Sequence, residues 1–131
     1  MDGSKNPALA ALDASIIDGT YKGYPQAAEP SGLGAIGTRG WNLLRGDLPF
    51  PVAVLKTSAL DHNSRWMNRF RREQEVDLCP HGKTTMSPHL FQRQLQDGAW
   101  GITVANAQQL LIARQYGVNR VVMANQLIDP Q

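Results

Sequence analysis

From residue 51 onward, short apolar runs alternate with amphipathic helical stretches, and this alternation constrains the fold more than any other feature of the chain. Val52-Ala53-Val54-Leu55, Val76 to Cys79, Trp100 to Ala105 and Val121 to Ala124 read as strands. Thr57 or Ser58 caps a first helix running roughly to Glu75, with Leu60, Asn63, Met67 and Phe70 near helical spacing. Ser87 caps a second, with Pro88 at its first position and Asp97-Gly98 at its stop. Asn106 caps a third, which turns Leu110, Leu111 and Ala113 inward and stops at Gly117. The strands are apolar throughout instead of alternating. That predicts a parallel sheet covered on both faces, its strands set side by side by right-handed crossovers.

Residues 1–50 lack this pattern. Asn6-Pro7-Ala8-Leu9-Ala10-Ala11-Leu12 predicts a short helix. Gly19, Gly23, Pro25, Pro30, Gly32, Gly34, Gly37 and Gly40 then favour turns and an extended arm. Trp41, Leu43 and Leu44 could anchor it. The expected division is a loosely structured arm over 1–50 and βα units over 51–131. The last strand has no helix after it and a free edge, so the chain is expected to be the N-terminal piece of a larger polypeptide.

The 131 residues amount to about one domain, and 42% hydrophobic against 18% charged residues suits a soluble globular protein. A net charge of +2 and a pI of 8.9 are too mild to imply nucleic acid. Arg69, Arg71 and Arg72 read as the solvated face of a helix. Cys79 is the only cysteine, which leaves no intrachain disulfide. No apolar run approaches the ~20 residues of a membrane helix, and Met1 to Asn6 do not begin a secretory signal. A cytoplasmic protein with no nucleic-acid or membrane partner is the expectation.

Parallel α/β folds bind ligands at the carboxyl ends of their strands. Three such ends carry polar residues here: Pro80-His81-Gly82-Lys83, Asn106 with Thr103 just inside, and Asn125-Gln126. Lys83 is the most informative. An amine at the exit of a buried strand can shed hydration and become a nucleophile for carbonyls and for pyridoxal phosphate. Gly82 lets backbone or a flat ligand approach. The bland alternatives are a solvated loop lysine, a helix cap at Asn106 and a turn at Asn125-Gln126.

Leu78-Cys79-Pro80-His81-Gly82-Lys83-Thr84-Thr85-Met86-Ser87-Pro88, Gly98-Ala99-Trp100-Gly101-Ile102-Thr103-Val104-Ala105 and Ala124-Asn125-Gln126 together resemble the D-threonine aldolase and D-serine dehydratase group. The similarity is closest to the bacterial branch of amino acid or D-serine deaminases, and covers its N-terminal part only. It implies an α/β fold, the N-terminal portion of a (β/α)8 TIM-like barrel of the alanine racemase type, preceded by an extended arm. The strand at 52–55 would then belong with a second, β-rich domain. By resemblance Lys83 holds pyridoxal phosphate and serves as the base for the α-proton, while His81, two residues earlier on the same face, lies toward the cofactor ring. The implied reaction is β-elimination from a small D-hydroxy amino acid such as D-serine, giving a keto acid and ammonia. A divalent metal bound by residues outside this chain often assists, and the phosphate-binding residues are expected there too. The 131-residue piece is therefore not expected to be active alone, and the full-length protein is expected to be a homodimer. Cys79 departs from the arginine that relatives often carry before Pro-His.

Other readings stay open. A non-catalytic chain could keep the motif and bind cofactor only, and aldol cleavage of D-threonine-type substrates is a third possibility. Cys79, His81 and His89 share no common zinc spacing, with His62 or Asp61 far off in sequence as a fourth ligand. Gly32-Leu33-Gly34-Ala35-Ile36-Gly37 formally matches GxGxxG but follows no apolar strand, and it reads as a flexible loop.

Overall fold

The computed structural model describes residues 6–128, which form two compact units dividing between Leu55 and Lys56. In the first unit, the predicted helix is α1, Pro7–Ala14. The Asn6 side chain accepts from the Ala8 N–H at 2.8 Å, and Pro7 fills the first helical position, where no N–H is needed. Ile16–Ile17 (β1) pairs antiparallel with Ser31–Gly32 (β2). Tyr24 is buried, meets Trp41 edge-on at 5.2 Å, and donates its hydroxyl to the Glu29 carbonyl at 2.6 Å. Arg39 reaches the Glu29 and Pro30 carbonyls at 2.9 and 3.0 Å and lies 6.0 Å from the Trp41 ring.

The segment read as a flexible glycine loop is instead ordered. Gly32 belongs to β2, and Leu33–Arg39 form a 3₁₀ helix. Gly34 serves close packing: a Cβ there would sit 3.0 Å from that of Asp13. Val52–Leu55, read as a strand, joins no ladder among the described residues, and Val54 and Leu55 stay exposed. Pro51 removes a donor at its start.

The second unit opens with α2, Thr57–Glu73. Its N-cap is Lys56, with no side-chain cap, so Thr57 is the first helical residue and not the cap. Arg69 and Arg72 are exposed as expected; Arg71 is half-buried, 3.4 Å from Asn68 and 3.9 Å from Asp77. α3, Pro88–Gln96, begins where Ser87-Pro88 predicts, though Ser87 makes no side-chain cap bond. Arg93 ties α3 to α2 through Asp61 at 2.5 Å, and the same hydrogen bond raises the guanidinium's pKa.

β3, Ile102–Val104, and β4, Val121–Met123, run parallel with Ile102 opposite Val121 and Val104 opposite Met123. α4, Ala107–Gln115, joins them. The core is Phe91, Ile102, Val104, Ala113 and Val118, with Met86, Leu95, Leu110, Val121 and Met123 packed around it. Leu111 is exposed, contrary to the inward face read for it; its neighbours Leu110 and Ala113 take that face. Ile102 and Val104 share one side of the sheet with the helices, while Thr103 between them faces the other side. Among the described residues that second face is covered at β3, where Thr103 is buried, and open at β4, where Val122 opposite it is exposed. No helix among the described residues is long and apolar enough to cross a membrane.

Candidate active site

The residues before Lys83 run beside β3 without forming a regular strand, so the strand read at Val76–Cys79 is corrected to an extended segment. Pro80 is the cause: it has no N–H to give to a ladder. What holds the segment is a set of bonds to β3. The Trp100 N–H donates to the Leu78 carbonyl at 2.8 Å, and the Thr103 N–H to the Pro80 carbonyl at 2.7 Å. The Gly82 N–H donates back to the Thr103 carbonyl at 2.8 Å, which makes a parallel bridge of His81 with Thr103. The Thr103 hydroxyl donates to the Cys79 carbonyl at 2.6 Å.

Gly82 is fixed from the other side. A Cβ there would come within 2.6 Å of both Ile102 Cγ2 and Phe91 Cε1, so only glycine lets this backbone lie on the core. The chain then turns through Lys83-Thr84-Thr85, and the Met86 N–H closes the turn on the Gly82 carbonyl at 2.9 Å. Met86 has φ of 44°, a strained left-handed value for a side-chain-bearing residue, held while Met86 packs against the core cluster. Lys83 therefore leaves a pinned residue at the carboxyl end of the extended segment. Its side chain is exposed, as is that of His81, but Lys83 already lies in the turn, so the strand alternation that would set both on one side does not carry through to it.

The other two strand ends lie at the same end of the parallel sheet. Asn106 is a helix cap: its side chain accepts from the Gln109 N–H at 2.9 Å, and Gln109 Oε1 accepts from the Ala105 N–H at 2.9 Å. Asn125 follows β4, where the Ala124 N–H joins the Val104 carbonyl at 2.8 Å, and its side chain accepts from the Gln126 N–H at 2.9 Å. Both are exposed. The bland readings of these two asparagines thus describe their local bonds, and their position at the sheet end leaves them facing solvent.

Among the described residues, no three His, Cys, Asp or Glu side chains converge to hold a metal. Cys79 is a half-buried free thiol. A cavity of about 340 Å³ lies between α2 and α3, lined by Leu60, Met67, Arg71, Leu78 and Leu90 among others. Neither Lys83 nor His81 lines it, so the lysine stands on an open sheet end and not in that cavity. Thr103 was visible in the sequence as a polar residue near a strand end; its hydroxyl bond to a backbone carbonyl was not, because that depends on where Pro80 breaks the ladder.

No protein-family model matches the sequence, and no curated protein matches it. Among solved structures, the chain is similar to D-threonine aldolase from Filomicrobium marinum, with a TM-score of 0.60 and 24% identity. The match covers 63% of this chain and 22% of that one, so the chain spans well under half the length of the aldolase. The chain is a mixed α/β protein that shares, over the matched stretch, the fold of part of a D-threonine aldolase.

Proposed function

We propose that this chain carries the cofactor-holding lysine of a pyridoxal-phosphate-dependent lyase acting on small D-amino acids, and that Lys83 is that lysine. The observation that carries the reading is the placement of Pro80-His81-Gly82-Lys83-Thr84 at the carboxyl end of a parallel segment, with Gly82 wedged on Phe91 and Ile102. The likeness in fold to a D-threonine aldolase supports it. The residues present fit the attachment: the Lys83 side chain is exposed, and Gly82 fixes the backbone from which it projects. In this reading the βα units belong to a barrel of the alanine racemase type.

When bound, pyridoxal phosphate supplies an electron sink for the carbanion left by loss of the α-proton. Lys83 Nζ would hold the cofactor and, once free of it, would be the base that takes the α-proton. In this reading His81, exposed two residues before Lys83, would border the ring. With D-serine the β-hydroxyl departs as water, and hydrolysis of the product enamine gives pyruvate and ammonia. The aldolase likeness favours a second reading, in which a D-threonine-type substrate is cleaved between Cα and Cβ to glycine and an aldehyde.

Incubation with pyridoxal phosphate, borohydride reduction and peptide mass analysis test the assignment. The expected result is a reduced adduct on Lys83, lost in Lys83→Ala. Labelling spread evenly over Lys22, Lys56 and Lys83 would overturn it. Pyruvate from D-serine or aldehyde from D-threonine, measured on this chain and on a longer polypeptide containing it, separates the two reactions. An adduct with neither product in both would mark a binding protein.

A further inference from the structure

We infer that Thr103 is a positioning residue for Lys83, acting through its hydroxyl on the backbone of the Cys79–Gly82 segment. This rests on the reading of Lys83 given above and adds a residue to that site.

Pro80 creates the need. A proline in a parallel segment breaks the regular run of ladder bonds, and the segment before Lys83 would be free to shift along β3. The Trp100 N–H holds the segment at Leu78, and Thr103 holds it at three points nearer Lys83. Thr103 engages the segment with its N–H, its carbonyl and its hydroxyl, at 2.7, 2.8 and 2.6 Å, on Pro80, Gly82 and Cys79 respectively. Two of these bonds are backbone and available to any residue but proline. The hydroxyl bond belongs to the side chain. Thr103 is 5% exposed, so the Cys79 carbonyl it satisfies would lose its partner in a region poor in water. On the opposite side Gly82 is held against Phe91 and Ile102. The segment is thus clamped between the Thr103 hydroxyl and the core wall, and the residue leaving that clamp is Lys83. Valine has the shape of threonine without the donor, serine keeps the donor without the methyl, and cysteine offers only a weak donor.

The test compares the wild-type chain with T103V, T103S and T103C in borohydride-trapped labelling by pyridoxal phosphate. It reads the ratio of adduct on Lys83 to adduct on Lys56, beside the thermal midpoint and the visible absorption band of the bound cofactor. A neutral hydrogen bond is worth about a fivefold change in an equilibrium. The expected result is a fall of about fivefold in the Lys83 ratio and a shifted band for T103V, a partial fall for T103C, and a ratio within about twofold of wild type for T103S. Should T103V fail to fold, T103C against T103S makes the same comparison. Equal ratios in folded T103V, T103C and wild type would overturn the proposal while leaving Lys83 in place. A fall shared equally by T103S and T103V would also overturn it, since the hydroxyl would then not be the agent. No preference for Lys83 in the wild type would overturn the underlying lysine assignment, and this proposal with it.

Discussion

Gly82 shows how one missing side chain can set the position of a reactive one. Its backbone touches the ring of Phe91 and the side chain of Ile102, at a point where a single methyl would come within 2.6 Å of both. Gly82→Ala must push the segment off the core or displace Phe91, and overpacking of this kind costs about 1–3 kcal/mol. Urea unfolding is expected to show that loss, and Lys83 labelling is expected to drop with it; an unchanged midpoint would mean the core yields freely there. In the sequence, Gly82 reads as room for a ligand. The structure gives that room to Phe91 instead, a contact between residues in different elements that no local spacing announces. Lys83 draws attention in the sequence as the amine of a Pro-His-Gly-Lys-Thr string after an apolar run, and its position at the end of the extended segment is what the structure adds.

At the scale of elements, capping explains what could and could not be read. Asn106 was read as the cap of α4 and is one, its amide holding Gln109 while Gln109 holds Ala105. Asn106→Ala is expected to cost about 1 kcal/mol and to lower the thermal midpoint followed by helical circular dichroism, with Asn106→Asp preserving it. Thr57 or Ser58 was read as the cap of α2 and neither is, because the helix starts at Thr57 and Lys56 holds the cap position. The strands were harder. Within Trp100 to Ala105 and Val121 to Ala124, the shorter stretches Ile102–Val104 and Val121–Met123 form strands because each meets a parallel neighbour in register. Val52–Leu55 has equal β propensity and no such neighbour among the described residues, and Val76–Cys79 runs into Pro80. Propensity fixes what a segment can do; a partner's N–H and carbonyl groups decide whether it does.

At the scale of the whole molecule, two carboxylates of the first unit set an expected response to acid. In the first, Asp18 is held below its ordinary value of 3.8, chiefly by the Thr20 hydroxyl and then by the Thr20 N–H. Asp47 is lowered by the Asn42 N–H and then by Arg45. A carboxyl with a lowered folded pKa adds stability that is complete above its unfolded value and is lost as pH falls through the folded one. The first unit is therefore expected to weaken as pH drops below about 3.8. Asp18→Asn and Asp47→Asn together should flatten that dependence, as read by acid titration of its unfolding.

Optical properties follow from where the aromatic rings lie. Trp41 belongs to the first unit and has Tyr24 at 5.2 Å, a distance at which tyrosine excitation passes to the indole almost completely. Trp66 and Trp100 belong to the second, the former stacked on Phe70 at 5.8 Å and the latter under the Arg120 guanidinium at 5.2 Å. The emission of this protein is thus divided between its two halves, and replacing Trp66 and Trp100 with phenylalanine leaves an indole that reports on the first half alone.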